Sequence, residues 1–181
     1  TEESPIHPLS TYSKANQLAE ADNLSLGDES FTATAVRLST AFGLSPRMRF
    51  DLATTVMTAV AHATGKLPLG RDGDQWRPYL HVKDISRAIL TVLTAPAERV
   101  NGEFFNVGDD RQNYQTKQIA DIVSANLLTK PEIEWFGDPD KRSYRVSFAK
   151  IKGVLGFEAT YPFEDAIKEI EQAIIDGSVQ H

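Results

Sequence analysis

Apolar residues recur at two alternating spacings along this chain. Runs of apolar and β-branched residues at 32–38 and 103–107 predict two buried strands. Elsewhere, apolar residues three and four positions apart predict amphipathic helices at 52–64, 84–95 and 114–127. Further helices are predicted at 10–22, where Tyr12, Asn16 and Glu20 share one face, and at 150–155 and 163–176. Strands that alternate with helices of this length are typical of an α/β protein with parallel strands.

Two aspartates stand where predicted helices begin. Asp51 precedes the helix at 52–64, and Asp84 begins the next helix. Aspartate is a favoured N-cap because its side chain accepts a hydrogen bond from a free backbone N–H group. Gly65 follows the first of these helices and is expected to end it in a left-handed conformation.

The remaining predicted strands are short. They lie at 67–69 and 76–82, on either side of the polar turn Gly70–Gly73, and at 133–136. This leaves two strands with the character of central, buried strands, which is too few for a stable doubly wound sheet. The chain is therefore expected to form part of a larger sheet.

Composition and charge exclude several classes of protein. The net charge of −6 argues against a general nucleic-acid binder, and no apolar run approaches the length of a membrane span. The absence of cysteine excludes a disulfide scaffold and thiolate chemistry. The only methionines are Met48 and Met57, and the sequence starts at Thr1, so we expect it to derive from a longer polypeptide.

Five short segments in one order resemble a known family. They are PLSTY at 8–12, VRL with FG at 36–43, RPYLHV with Asp84 at 77–84, FNVG at 105–108, and DKRSYRVS followed by LGF at 140–157. In this order they resemble the extended short-chain dehydrogenase/reductase family, and within it the NAD-dependent nucleotide-sugar epimerases and dehydratases. The resemblance extends over essentially the whole chain.

The resemblance implies the C-terminal part of a Rossmann-type doubly wound parallel sheet plus a small α+β substrate-binding lobe. Residues 1–65 and 84–108 would belong to the Rossmann-type domain, and residues 66–83 and 109–181 to the nucleotide-sugar lobe. It also implies NAD or NADP as cofactor, a nucleotide-sugar substrate, a missing N-terminal half of the same enzyme as partner, a homodimer and a cytoplasmic location, with no nucleic-acid or membrane partner.

In such enzymes a hydride passes transiently from the sugar to NAD while a tyrosine takes the hydroxyl proton. The resemblance gives this catalytic role to Tyr12. A lysine four residues later normally supplies positive charge and holds the nicotinamide ribose, but Asn16 stands there, and Lys14 lies near the opposite side of the helix. Asn16 can hydrogen-bond a ribose hydroxyl but supplies no charge. Tyr12 and Asn16 are therefore both candidate cofactor contacts.

Further candidates follow from the same resemblance. Phe42 falls where the family's chain passes the nicotinamide, and Arg47 and Arg49 lie in a loop that lines the sugar site. Arg77 and Arg142 match the family's two arginines that reach the diphosphate, a task that suits a forked guanidinium. Without the resemblance, the sequence also allows a surface salt bridge between Arg77 and Asp72 or Asp74. Arg142 could likewise belong to an ordinary run of solvated charged residues.

Other residues are assigned structural roles. His81, in an apolar strand, is expected to be a structural histidine, Glu20 to stabilise its helix, and Trp76 to pack. No glycine-rich turn of the type G-x-G-x-x-G follows a predicted strand, so the main dinucleotide-binding motif is expected to lie outside this chain. The spacing of histidines and acidic residues indicates no metal site.

Two functional hypotheses remain open. In the first, the chain is the C-terminal half of an NAD-dependent epimerase or dehydratase acting on a nucleotide-diphosphate sugar. In the second, it is a non-catalytic nucleotide-sugar-binding remnant or an inactive variant, marked by Asn16 in the position of the catalytic lysine. A sugar-nucleotide reductase of the same family is a third alternative.

Overall fold

The computed structural model describes residues 1–138 and 142–179, so Asp140 and Lys141 of the last motif lie outside the described residues. Within these residues the helices are α1 (Thr11–Leu24), α2 (Ala53–Thr64), α3 (Val82–Thr94), α4 (Ala97–Val100), α5 (Thr116–Asn126), α6 (Ala149–Leu155) and α7 (Phe163–Ile175). The strands are β1 (Ala35–Leu38), β2 (Thr40–Phe42), β3 (Lys66–Gly70), β4 (Trp76–His81), β5 (Phe104–Val107), β6 (Asn113–Gln115) and β7 (Glu132–Phe136).

The two strands predicted to be central pair with each other. β1 and β5 run parallel, from Ala35 opposite Phe104 to Leu38 opposite Val107. β1 begins three residues later than predicted because the backbone N–H of Ala33 and the hydroxyl of Thr34 donate to residues at the end of α4. Full burial of this strand was wrongly predicted: β1 is half-buried and Leu38 is exposed, since β5 alone pairs with it among the described strands.

β4 is the middle strand of a second sheet. Its last three residues pair in parallel with β2, and its first three pair antiparallel with β6. β3 lies on the other side of the polar turn but pairs with β7, so the turn does not form a hairpin.

Two hydrophobic clusters lie on opposite sides of β4. Successive side chains of a strand point to opposite faces, and Tyr79 belongs to one cluster while Leu80 belongs to the other. The first cluster joins α2, β3, α5 and α7, with Met57, Leu67, Leu69, Ile119, Val123, Phe163 and Ile167 buried in it. The second joins α3, β5 and α6, with Ile85, Val92, Phe105, Val107, Phe148 and Ile151.

The structure confirms the predicted C-terminal end of α2 and contradicts the predicted N-cap. Gly65 adopts a φ of 71° after the last turn, as predicted, and its N–H donates to the carbonyl of Ala61. Asp51 was wrongly predicted as the N-cap: Leu52 holds that position without a side-chain hydrogen bond. The carboxylate of Asp51 instead pairs with the guanidinium of Arg49 at 2.6 Å.

Asp84 was also wrongly predicted as an N-cap. His81 caps α3, because its Nδ1 accepts a hydrogen bond from the backbone N–H of Lys83 at 3.1 Å. Asp84 lies in the first turn with 0% exposure and accepts hydrogen bonds from the backbone N–H groups of Thr160 and Tyr161, at 3.0 and 2.9 Å. Its carboxylate also pairs with Arg87. Asp84 thus ties α3 to the segment that leads into α7.

Exposed apolar residues lie on α1, on α3 and just before α1. α1 contains no buried residue and is linked to β1 by a two-pronged ion pair between Glu20 and Arg37, at 2.5 and 2.7 Å. Its exposed apolar residues are joined by others on α3, giving Leu9, Tyr12, Leu18, Ile89, Leu90 and Leu93. Within 1–138 and 142–179, no helix has the length and apolar character needed to cross a membrane.

We predict that Asp84→Ala lowers the free energy of unfolding by about 1–3 kcal/mol, because it removes a fully buried carboxylate that accepts hydrogen bonds from the backbone N–H groups of Thr160 and Tyr161. Urea unfolding followed by circular dichroism measures the change. Asp121→Ala removes an exposed carboxylate from α5 and serves as the control, with an expected change within about 0.5 kcal/mol. Equal midpoints for the two variants would contradict this role of Asp84.

Candidate functional site

The loop between β2 and α2 forms a cavity that contains two of the predicted site residues. Its lining consists of residues 47–51, and its volume is about 710 Å³. Arg47 and Arg49 therefore share one concave surface. The hydrogen-bonded carboxylate of Asp51 raises the pKa of Arg49, which remains cationic, and the guanidinium in turn lowers the pKa of Asp51.

Tyr12 and Asn16 lie one turn apart on α1, and both are exposed. Ser10 begins the helix: its hydroxyl accepts a hydrogen bond from the N–H of Ser13, whose own hydroxyl accepts from the N–H of Ser10. The Tyr12 side chain is 77% exposed.

Phe42 occupies a different environment. Its ring is 2% exposed and stacks on Phe163 with ring centroids 4.2 Å apart, with Tyr79 and His81 at its edges. The side chain is thus part of the hydrophobic core, and any contact of this position with a cofactor has to come from its backbone.

Arg77 and Arg142 are brought together at the start of β4. The Nη1 of Arg77 donates hydrogen bonds to the carbonyl oxygens of Trp76, at 2.7 Å, and Arg142. The salt bridge considered between Arg77 and Asp74 has a competitor, because Asp74 pairs with Lys117 at 2.5 Å. The two arginines, 65 residues apart in sequence, share one surface.

Cationic and aromatic side chains interleave around this arginine pair. The guanidinium of Arg145 lies 4.7 Å from the ring centre of Trp76, and that of Arg77 lies 5.2 Å from the ring centre of Tyr144. The sequence analysis assigned Trp76 to packing and missed its contact with Arg145. The available signal was an aromatic residue beside an arginine in both segments, WR at 76–77 and YR at 144–145.

His81 is buried and makes a hydrogen bond through one ring nitrogen. Because Nδ1 accepts from Lys83, the neutral ring carries its proton on Nε2. Among the described residues Nε2 has no hydrogen-bond partner, and Glu169 Oε2 lies 3.8 Å away. Burial lowers the pKa of His81, although the charge of Glu169 acts in the opposite direction. His81 is therefore neutral near pH 7.

A dinucleotide site needs both ribose contacts and a pyrophosphate cradle. The exposed side chains of Tyr12 and Asn16 have the spacing and chemistry to reach ribose hydroxyls. A pyrophosphate cradle needs a glycine turn that leads directly into a helix, and none of the glycines with positive φ in 1–138 and 142–179 directly precedes an α-helix. In the same described residues no group of three histidine or acidic side chains could hold a metal ion.

Comparison with known proteins agrees with this fold. The sequence profile of the NAD dependent epimerase/dehydratase family matches residues 1–108. A dTDP-glucose 4,6-dehydratase of Xanthomonas campestris is 33% identical over 144 aligned positions. The alignment covers 68% of this chain and 40% of that protein. The corresponding enzyme of Neisseria gonorrhoeae is 27% identical over 195 aligned positions, covering 99% of this chain and 55% of the enzyme.

Solved structures give the same result. The crystal structure of a dTDP-glucose 4,6-dehydratase from Bacillus anthracis, in complex with NAD, superimposes with a TM-score of 0.81 and 28% identity, over 98% of this chain and 56% of that one. A dTDP-glucose 4,6-dehydratase from Streptomyces venezuelae, at 20% identity, has the same fold, with a TM-score of 0.81.

The fold is thus the α/β, Rossmann-type fold of sugar dehydratases and epimerases, as predicted. The chain belongs to the NAD dependent epimerase/dehydratase family, which confirms the resemblance found in the sequence. It spans about half the length, or less, of the curated relatives that it matches.

We predict that the stability of the protein decreases as the pH falls from about 7 to about 5. The unfolded histidine takes up a proton near its ordinary pKa of 6.5, whereas in the folded protein burial lowers the pKa of His81, so the unfolded state binds more protons in this range. Urea midpoints measured across the range test the effect. The pH dependence should be smaller in His81→Gln than in the wild type, and unchanged in His7→Gln, which alters an exposed histidine. Equal pH dependence in all three proteins would contradict the assignment to His81.

Proposed function

We propose that this chain is the C-terminal, substrate-binding part of an NAD-dependent epimerase or dehydratase that acts on a nucleotide-diphosphate sugar. The observation that carries the proposal is the pairing of Arg77 with Arg142 at the start of β4. The similarity to dTDP-glucose 4,6-dehydratases supports the same class of substrate.

The arginine pair suits a diphosphate. A guanidinium presents several N–H donors in a plane and remains charged at every physiological pH, so it can bind phosphate oxygens in a bidentate manner. Arg77 uses Nη1 for the carbonyls of Trp76 and Arg142, an arrangement that fixes the position of its guanidinium. The backbone of Arg142 is held at the guanidinium of Arg77, and we propose that both side chains balance the charge of the diphosphate.

The loop cavity is proposed to receive the sugar. Arg47 and Arg49 line it, and the Asp51 carboxylate neutralises much of the charge of Arg49, so the cavity is polar without being strongly cationic. Such a surface offers donors and acceptors for sugar hydroxyls.

Tyr12 and Asn16 are proposed to hold the ribose of the nicotinamide, with the backbone at Phe42 passing close to the ring. The bound cofactor supplies the acceptor for the sugar hydride. Tyr12, acting as the phenolate, takes the hydroxyl proton at its phenolic oxygen and becomes the neutral phenol. The exposed position of this side chain allows contact with both substrate and cofactor. Asn16 orients the ribose by hydrogen bonding and contributes no charge.

An N-terminal half is proposed to complete the enzyme. It would cover the exposed apolar residues of α1 and α3, add strands beside β1 and supply the pyrophosphate site. Residues 1–65 and 84–108 then form the end of its Rossmann-type domain, and residues 66–83 and 109–181 form the nucleotide-sugar lobe. We further propose that the complete enzyme is a cytoplasmic homodimer, as the family resemblance implies.

The alternative is a nucleotide-sugar-binding protein without catalytic activity. Asn16 is the observation that favours it, because the helix face of Tyr12 carries no cation at the position one turn later. Lys14 is exposed on α1 but lies two residues from Tyr12. Binding of the substrate is common to both proposals, and hydride transfer separates them.

We predict that thymidine-diphosphate glucose binds this chain and that Arg77→Ala weakens binding about ten- to a hundredfold, as expected for the loss of charge-assisted hydrogen bonds. Isothermal titration calorimetry measures the affinity. Arg99→Ala removes an exposed arginine from α4 and should bind like the wild type. Equal affinity of Arg77→Ala and Arg99→Ala, or no binding by the wild type, would contradict the proposed site.

We predict that Asn16→Lys accelerates sugar oxidation about a hundredfold in the chain assembled with an N-terminal dinucleotide-binding half, because a lysine charge favours proton loss from Tyr12. The absorbance of reduced nicotinamide follows the reaction. Gln17→Lys places the same charge at the next exposed position of α1 and should have little effect. If Asn16→Lys and the wild type are both inactive, the chain is a binding remnant.

A further inference from the structure

The segment from Arg142 to Val146 follows the first part of β4 without forming a strand. The backbone N–H of Trp76 donates to Ser143 Oγ at 3.0 Å, and the N–H of Tyr144 donates to the carbonyl of Trp76 at 3.2 Å. These two bonds fix the segment beside a single residue of β4. Arg142 is its first described residue.

The other end of this segment is held by a side-chain amide. Asn113 of β6 donates to the carbonyl of Val146 and accepts from its N–H, both at 2.9 Å. Between the two attachment points the segment is exposed at Ser143, Tyr144 and Arg145, so buried apolar contacts do not fix this part of it. Its position along β4 therefore depends on hydrogen bonds and on contacts between its side chains and those of β4.

Two cation–aromatic contacts connect the segment with β4; in one the guanidinium belongs to the segment, and in the other it belongs to β4. Arg145 of the segment stacks on Trp76 of β4, and Arg77 of β4 faces Tyr144 of the segment. A guanidinium is attracted to the face of an aromatic ring, and most strongly to that of tryptophan. Movement of the segment by one residue would break both contacts and would also take the carbonyl of Arg142 away from Arg77.

We propose that Arg145 is a positioning residue for substrate binding. By stacking on Trp76 it holds the segment in the register that keeps Arg142 beside Arg77. The proposal rests on the proposed function, in which these two arginines bind the diphosphate. Arg145 acts through Trp76 and the backbone of the segment, and the diphosphate is contacted by Arg77 and Arg142.

Thymidine diphosphate, titrated calorimetrically into the 181-residue chain, tests this role. Arg145→Met keeps a long apolar side chain and removes the cation, and it should weaken binding about two- to fivefold. Arg145→Lys should recover part of the loss, because an ammonium group also attracts the tryptophan ring. Arg99→Met makes the same change of charge on α4 and should leave the affinity unchanged.

A double-mutant cycle separates positioning from direct contact with the ligand. In a Trp76→Leu background, Arg145→Met should have no further effect, because the partner through which Arg145 acts is already gone. If Arg145→Met causes its full loss of affinity in that background, Arg145 contacts the diphosphate directly and the positioning role is overturned.

Tryptophan fluorescence gives a second readout that needs no ligand. In Trp135→Phe the remaining tryptophan is Trp76, and adding Arg145→Met should change its emission. Unchanged emission together with unchanged affinity would overturn the proposal. If the wild-type chain does not bind thymidine diphosphate, the proposed function is contradicted, and the positioning role with it. In that case Arg77→Ala would show the same lack of binding as the wild type.

Discussion

β4 is the strand on which the rest of the described fold depends. Along six residues it changes partner, from antiparallel β6 to parallel β2, and its side chains enter two different hydrophobic clusters. The same strand begins with Trp76 and Arg77, which hold the segment at 142–146, and ends with His81, which caps α3. The two hydrophobic clusters, the start of α3 and the position of the segment at 142–146 thus all depend on one short strand.

The polar groups near β4 act mainly by fixing backbone. Asp84 holds the segment before α7, Asn113 holds Val146, and Arg77 binds two carbonyl groups. Buried or half-buried polar groups of this kind require partners, because an unpaired group would lose its hydration without compensation. They therefore specify how the irregular segments lie against the sheets, which apolar contacts alone define less sharply.

The sequence predicted those features that depend on neighbouring residues. Most of the helices and the two strands β1 and β5 were predicted from the sequence, and Gly65 marked the end of α2. The prediction for Asp84 failed because its carboxylate binds residues 160–161, which are distant in sequence. The prediction for Asp51 failed for a local reason, because Arg49, two residues earlier, pairs with its carboxylate. The contact of Trp76 with Arg145 was missed because, as for Asp84, the partner is distant in sequence. Family resemblance, rather than spacing, gave the arginine pair.

α1 carries Tyr12 yet buries none of its residues. A helix of 14 residues without tertiary packing is only marginally stable in water, so the conformation of Tyr12 is coupled thermodynamically to whatever surface comes to cover α1. The free energy needed to order this helix would reduce the affinity for that surface. Hydrogen exchange at the amides of α1 would measure how much of the helix is ordered before and after binding. Burial of α1 by a partner surface and ordering of the Tyr12 side chain would then depend on the same folding equilibrium.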